Sequence, residues 1–144
     1  QAGAMQDEWS TDFGVGCKYF SQDAVIKLAP AAGIDIPGEL SLAEKLKYVQ
    51  ALMEKDDPRA IAIFETIGAY LAYTTVLYAQ FYDIHHVQMM GRVMSGKGGD
   101  IILAEAARVM DEEYPNVRFR PEAPDEMTRR VGQSAAAASL PKRL

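Results

Sequence analysis

The sequence has little cysteine, little tryptophan and little clustered positive charge. Cys17 is its single cysteine, so an internal disulfide is excluded and a reducing compartment is favoured. The chain carries 15 Lys and Arg against 20 Asp and Glu, a net charge of −5. Nucleic-acid phosphates are bound by clustered cations, which here are limited to Arg129-Arg130 and Lys142-Arg143. We therefore expect no direct nucleic-acid contact from this chain.

The chain also lacks a secretion signal and an initiator methionine. Its first residues, QAGAMQDEWSTDFG, contain neither the basic segment nor the apolar run of a signal peptide. We therefore expect a cytoplasmic protein, and the irregular start suggests either the middle of a longer protein or a processed or trimmed end. With 144 residues, 49% of them hydrophobic and 24% charged, the composition is that of one globular domain. We expect residues 1–144 to form a single incomplete domain that begins with a loop over residues 1–20.

Capping signals predict three helices in the first 82 residues. Ser21 is a good N-cap for a helix over residues 21–32, which Gly33 would close. Ser41 and the glutamate three residues later form a capping box that opens a second helix. Asp57-Pro58 opens the third, because a carboxylate caps the helix and proline at its first position loses no hydrogen bond.

The third predicted helix, which runs to about Tyr82, is apolar on nearly every side. Glu65 is the only charged residue between residues 61 and 82. A helix of this kind is buried on most sides or spans a membrane, and its many threonine and tyrosine hydroxyls argue against a span. We expect a core helix whose apolar surface the rest of the chain cannot cover completely. Its apolar surface predicts a homo-oligomer or contact with a missing N-terminal lobe.

The stretch His86–Asp100, HVQMMGRVMSGKGGD, predicts a strand, a glycine-rich loop and then a helix from Asp100 to about Glu113. Glycines let backbone N–H groups approach an anion, and a helix N-terminus adds its positive end. The loop lacks the Ser or Thr that completes a Walker A motif. A different nucleotide-contacting turn and a plain structural turn both remain open. The predicted cofactor-binding residues are Gly91, Arg92, Ser95, Gly96, Lys97, Gly98 and Gly99.

The last third of the chain predicts an α/β fold. A short strand over residues 117–120 follows the helix, and a final helix from about Asp125 enters the sequence QSAAAASL. A strand, a crossover helix and a second strand imply parallel pairing. Two strands leave unpaired edges, so we expect this sheet to belong to a larger domain.

Several segments follow one another in an order and spacing that is specific as a set: Gly16-Cys17, DDPRA, GAYLAYTTVLYAQFYD, HVQMMGRV and GQSAAAA. Together they resemble the C-terminal lobe of the ROK family of sugar kinases and sugar-responsive repressors. The resemblance implies a helix-rich lobe of an actin-like, ribonuclease-H-like ATPase fold with short parallel strands. It also implies that residues 91–99 contact the adenosine side of ATP, with Mg²⁺ and a sugar substrate bound in the intact protein.

The chain departs from this family in the zinc and sugar motif and in the glycine pair after the strand. The family's zinc and sugar motif reads C-x-C-G-x-x-G-C-x-E, and alignment on Gly16-Cys17 places its other cysteines at Ser10 and Asp12. Its closing glutamate falls on Tyr19, and Met90 takes the first glycine of the pair after the strand. Structural zinc sites need four ligands, so we expect no zinc.

No other metal site and no catalytic residue are predicted in this chain. His85 and His86 are neighbours on a predicted strand and point to opposite faces, so they do not share an ion. The lobe that carries the DxGxT turn and the catalytic aspartate is absent from these residues. The sequence thus predicts the nucleotide-side lobe of a sugar kinase, incomplete by itself. The alternative is a non-catalytic sugar-sensing or oligomerisation module of a ROK-like transcriptional regulator.

Overall fold

The computed structural model describes residues 4–125. The last predicted helix, from about residue 125 into QSAAAASL, therefore lies outside the described residues. Within them the structure is mostly helical, with two short strands. In chain order the elements are α1 (Cys17–Phe20), α2 (Gln22–Leu28), α3 (Leu42–Met53), α4 (Pro58–Tyr78), β1 (Val87–Gln88), a 3-10 turn (Arg92–Met94), α5 (Lys97–Glu113) and β2 (Pro121–Glu122).

The predicted N-terminal caps are confirmed. The Ser41 hydroxyl accepts a hydrogen bond from the Glu44 N–H at 3.4 Å, and the Glu44 carboxylate accepts one from the Ser41 N–H at 2.9 Å. Asp57 accepts from the Arg59 N–H at 3.0 Å, with Pro58 in the first helical position. These bonds satisfy donors that a helix start otherwise leaves unpaired.

The C-terminal ends of two helices come earlier than predicted. α2 ends at Leu28 rather than near residue 32, because Pro30 has no N–H to continue the helical pattern. Gly33, predicted to close this helix, does have a positive φ of 73°, but it lies in the turns that follow α2 and not at the end of the helix itself. α4 ends at Tyr78 rather than Tyr82, since the next residues form turns and have little packing to extend the helix.

The prediction of a loop over residues 1–20 is wrong for its last four residues. Cys17–Phe20 forms the short helix α1, whereas the described residues before it are irregular and joined by a bridge between Gln6 and Phe13. A helix of four residues is too short to show a hydrophobic period, so the sequence pattern gave no signal for it.

The core is built around the contact between α4 and α5. α4 buries Ile63, Phe64, Ile67 and Leu71, and α5 buries a matching row at Ile102, Ala106, Val109 and Met110. In residues 4–125, α4 alone is long and apolar enough to cross a membrane, yet half of that stretch is buried inside the protein. The predicted core helix is thus present, but its opposite face is exposed at a row of tyrosines.

The two strands pair in parallel, as predicted, with Val87 opposite Pro121 and Gln88 opposite Glu122. The second strand lies at Pro121–Glu122 rather than at the predicted residues 117–120. The Arg120 guanidinium donates at 2.7 Å to the carbonyls of both Val117 and Phe119, so these carbonyls bond a side chain and residues 117–120 form no strand.

Gly68 gives the first testable prediction. A Cβ atom at this position would lie 2.6 Å from the Ile102 carbonyl oxygen, inside the contact between α4 and α5. We expect Gly68→Ala to lower the free energy of unfolding by about 1–3 kcal/mol, the usual cost of overpacking. Gly38→Ala is the matched control, because a Cβ there would meet nothing within 4 Å. Urea unfolding compares them, and equal stability of the two variants would contradict the close helix contact.

Candidate functional site

The predicted glycine loop divides into two parts with different surroundings. Gly91 and Arg92 are exposed just after β1. α5 begins at Lys97 rather than at Asp100, so the predicted loop residues Lys97, Gly98 and Gly99 belong to the first turn of a helix. The weak helix propensity of glycine, which favoured a loop, is overridden here by tertiary packing.

Close packing explains the two buried glycines. A Cβ atom at Gly98 would lie 2.7 Å from the ring of Phe64, and one at Gly99 would lie 2.3 Å from the Met94 carbonyl oxygen. Both residues are buried. Their missing side chains let the start of α5 lie against α4 and the 3-10 turn, and they do not line an open surface.

Lys97 joins the start of α5 to the turn between α3 and α4. Its ammonium donates to the Met53 carbonyl at 3.3 Å and forms an ion pair with Asp56. Asp56 itself has a φ of 59°, a conformation that few non-glycine residues adopt. The structure thus gives Lys97 partners inside the protein rather than in a cleft.

The backbone around the 3-10 turn requires glycine at both ends. Gly91 has φ 123° and ψ 173°, and Gly96 has φ 61° and ψ −152°. Both conformations lie in regions that are almost restricted to glycine. Ser95, which lies between them, is exposed, and its N–H bonds the Arg92 carbonyl at 3.2 Å.

An open cleft lies where this loop faces the start of α2. Its volume is ≈ 310 Å³, close to the lower end of small-ligand sites. The lining comes from two segments about 70 positions apart, namely residues 20–23 and residues 90–93. Of the predicted site residues, Gly91 and Arg92 line this cleft. Sequence reasoning missed the opposite wall, Phe20, Ser21, Gln22 and Asp23.

The charges of the cleft come from Arg92 on one wall and Asp23 on the other. Among the described residues the Arg92 guanidinium has no ion pair or hydrogen bond to protein. Asp23 instead accepts from the Lys18 ammonium at 2.8 Å. The cleft therefore offers one unpaired cation, together with hydroxyl, amide and apolar groups from Ser21, Gln22 and Phe20.

A buried lysine supports this wall, and sequence reasoning did not identify it. Lys18 is 2% exposed, and its ammonium donates to Glu8 at 2.5 Å and to Asp23 at 2.8 Å, with Asp7 at 3.9 Å. The hydrogen bonds to Asp23 and then to Glu8 raise the pKa of Lys18 above its usual range, although burial opposes this. The lysine is thus held charged and ties the N-terminal segment to α2.

The segment from Asp7 to Cys17 is held together by a carboxylate. Asp7 accepts from the backbone N–H groups of Ser10 at 2.8 Å and Trp9 at 3.2 Å, and from the Cys17 thiol at 3.5 Å. The bond from Ser10 is the largest cause that lowers the pKa of Asp7. Partial desolvation, followed by the bond to Asp7, raises the pKa of Cys17, although the residue as a whole is exposed.

No group of three or more His, Cys, Asp or Glu that could hold a metal occurs in residues 4–125. His85 and His86 have separate neighbours, Asp83 at 3.2 Å and Glu122 at 3.8 Å. Comparison with known proteins adds nothing to this picture, since no family model, curated protein or solved structure matches the chain. Function is therefore inferred from the residues that line the cleft and from the order of the sequence segments.

The zinc content of the purified protein tests the prediction that it has no structural zinc site. We expect protein purified without chelator to hold no stoichiometric zinc, because Cys17 is the one thiol left and its loop is closed by Asp7. Elemental analysis by mass spectrometry measures this. One zinc per chain would contradict the expectation.

The buried lysine gives a further prediction. Lys18→Met keeps the length of the side chain but removes the cation that Glu8 and Asp23 share, so we expect a lower thermal midpoint and faster proteolysis before residue 17. Lys55→Met is the control, because Lys55 is exposed and outside this cluster. Circular dichroism and limited proteolysis compare the variants. If both behave like the wild type, the cluster does not hold the segment.

Proposed function

We propose that this chain is the nucleotide-side lobe of a ROK-like sugar kinase and belongs to an actin-like fold. The observation that carries the proposal is the cleft at the end of β1, where Gly91 and Arg92 face residues 20–23. In open sheets with parallel strands, ligands bind beyond the carboxyl ends of the strands. The cleft occupies such a position, and the resemblance in sequence gives the same loop to the adenosine side of ATP.

The residues present fit the adenosine part of a nucleotide. Gly91 carries no side chain, so a flat ring or a ribose can approach the backbone closely. Phe20 and Met90 supply apolar surface, while Ser21 and Gln22 supply polar groups that can fix the orientation of a ligand. The unpaired Arg92 guanidinium is suited to a phosphate oxygen.

The other predicted site residues do not line the cleft but support the loop that does. Gly98 and Gly99 bring α5 against Phe64 and Met94, and Lys97 fastens it to Asp56. Ser95 and Gly96 form the link that sets the direction of α5. In this proposal they position Gly91 and Arg92 rather than contact the nucleotide.

Phosphoryl transfer itself requires groups of the intact protein that lie outside this chain. When bound, ATP with Mg²⁺ supplies the phosphoryl group, and a carboxylate of the other lobe would take the proton of the sugar hydroxyl. Among residues 4–125, Asp23 is the one carboxylate that lines the cleft, and it is engaged with Lys18. The lobe described here therefore binds and orients the nucleotide, and does not hold the metal by itself.

One observation favours the alternative, a non-catalytic sugar-sensing or oligomerisation module of a ROK-like regulator. Met90 is 43% exposed and lines the cleft at the position where the family has glycine. Its side chain reduces the space in front of Gly91. A regulator that has lost its nucleotide would tolerate such a residue, whereas a kinase would have to accommodate ATP around it.

Calorimetry with ATP tests the proposal on the intact protein and on this chain. We expect Arg92→Ala to weaken binding roughly 10- to 150-fold, in line with ~1.5–3 kcal/mol for hydrogen bonds to charged groups. Arg118→Ala is the matched control, since Arg118 is also exposed but does not line the cleft.

Met90→Gly separates the two candidate functions. It restores the glycine pair and enlarges the cleft, so nucleotide affinity should rise if ATP binds beside Gly91. Absence of ATP binding by the intact wild-type protein would reject the kinase. Sugar binding without any nucleotide binding would instead support the regulator.

A further inference from the structure

A second pocket, separate from the cleft at the end of β1, lies between α2 and α3. Its volume is ≈ 460 Å³, within the ~300–1,000 Å³ of small-molecule sites. We call it the α2–α3 pocket; its walls are Ile26, Pro30, residues 33–36 and Lys45. All of these residues belong to one short stretch of the chain, so the pocket does not need another chain or lobe to complete it.

The turn that forms one wall of the α2–α3 pocket is held in place from two sides. The Ile34 N–H donates to the Ala29 carbonyl at 2.8 Å, and the Ile34 side chain is buried in the core. The Arg59 guanidinium donates to the Gly33 carbonyl at 3.0 Å and also forms an ion pair with Asp57 at 2.7 Å. The wall is thus formed before any ligand enters, which reduces the ordering that binding would otherwise cost.

Two opposite charges line the pocket without pairing with each other. Asp35 is exposed and Lys45 is half-buried. Among residues 4–125, neither side chain has a hydrogen bond or an ion pair. A carboxylate and an ammonium that share a pocket but stay unpaired are complementary to a ligand that carries both signs of charge.

The rest of the lining is aliphatic. Ile26, Ile34 and Ile36 present branched side chains, and Pro30 adds the carbons of its ring. A flat aromatic ligand would find no ring to stack on among the described residues that line this pocket. A branched aliphatic chain matches these side chains and leaves water when it packs against them.

The net charge of the chain also bears on the kind of ligand. With a net charge of −5, the chain repels anions such as sugar phosphates at long range. A zwitterion has no net charge and meets no such barrier. Free aliphatic amino acids combine this property with a branched apolar side chain.

We propose that the α2–α3 pocket binds a free aliphatic α-amino acid, for which leucine is the probe. The ligand ammonium meets the Asp35 carboxylate, the ligand carboxylate meets the Lys45 ammonium, and the side chain lies against Ile26 and Ile36. The pocket is larger than this ligand, so bound water fills the remaining space. The proposal does not rest on nucleotide binding, because the two pockets share no lining residue.

Calorimetry with L-leucine on the 144-residue chain tests the proposal. Titration to about 10 mM detects affinities in the millimolar range, and we expect the wild type to bind. Asp35→Asn and Lys45→Gln should each weaken binding roughly tenfold or more, because each removes a hydrogen-bonded charge. Glu39→Gln and Lys47→Gln are the matched controls, since they make the same changes at exposed residues that do not line the pocket.

Modified ligands and NMR show which groups are recognised and where. N-acetyl-L-leucine lacks the ammonium and L-leucinamide lacks the carboxylate, so both should bind roughly tenfold or more weakly than leucine. Leucine should shift the amide signals of residues 33–36 and leave those of residues 90–93 unchanged. The proposal is overturned by absence of leucine binding, by equal binding of either modified ligand, or by unchanged binding in either Asp35→Asn or Lys45→Gln. Shifts confined to residues outside the pocket would overturn it as well.

Discussion

The close contact between α4 and α5 at Gly68 sets the position of most other parts of this structure. A side chain at Gly68 would meet the Ile102 carbonyl at 2.6 Å, so the distance between the helices depends on its absence. Gly98 and Gly99 likewise allow the start of α5 to pack closely against Phe64 and Met94, because they carry no side chains. Because α5 connects the two strands, these contacts also determine where β1 ends and where the candidate cleft opens.

The cleft depends on a second contact, between charges rather than helices. Lys18 is nearly excluded from solvent and joins Asp23, on the cleft wall, to Glu8 in the N-terminal segment. A buried cation is costly unless it is paired, so this cluster ties two distant parts of the chain to one place. Asp7 holds the N-terminal segment through its bonds from Ser10 and Cys17. One side of the candidate site is therefore held by ion pairs and the other by glycine packing.

The two faces of α4 have different surroundings. One face builds the core with α5 and thereby supports the loop that we propose for nucleotide binding. The opposite face, from Tyr70 to Tyr82, exposes tyrosines together with Leu77 and Phe81. At one edge of this face the Tyr73 hydroxyl donates to the Glu113 carboxylate at the end of α5, at 2.7 Å.

The sequence alone determined the features that depend on neighbouring residues. The cap at Asp57, the capping box of Ser41 and the positive φ at Gly33 were predictable because each requires groups within about four positions. The parallel order of the strands followed from the crossover helix between them. Tertiary structure alone decided that Gly98 and Gly99 lie inside α5, that Lys97 meets Asp56, and that residues 20–23 face residues 90–93. These contacts join residues far apart in the chain, and their energy comes from packing and charge pairing that no local pattern encodes.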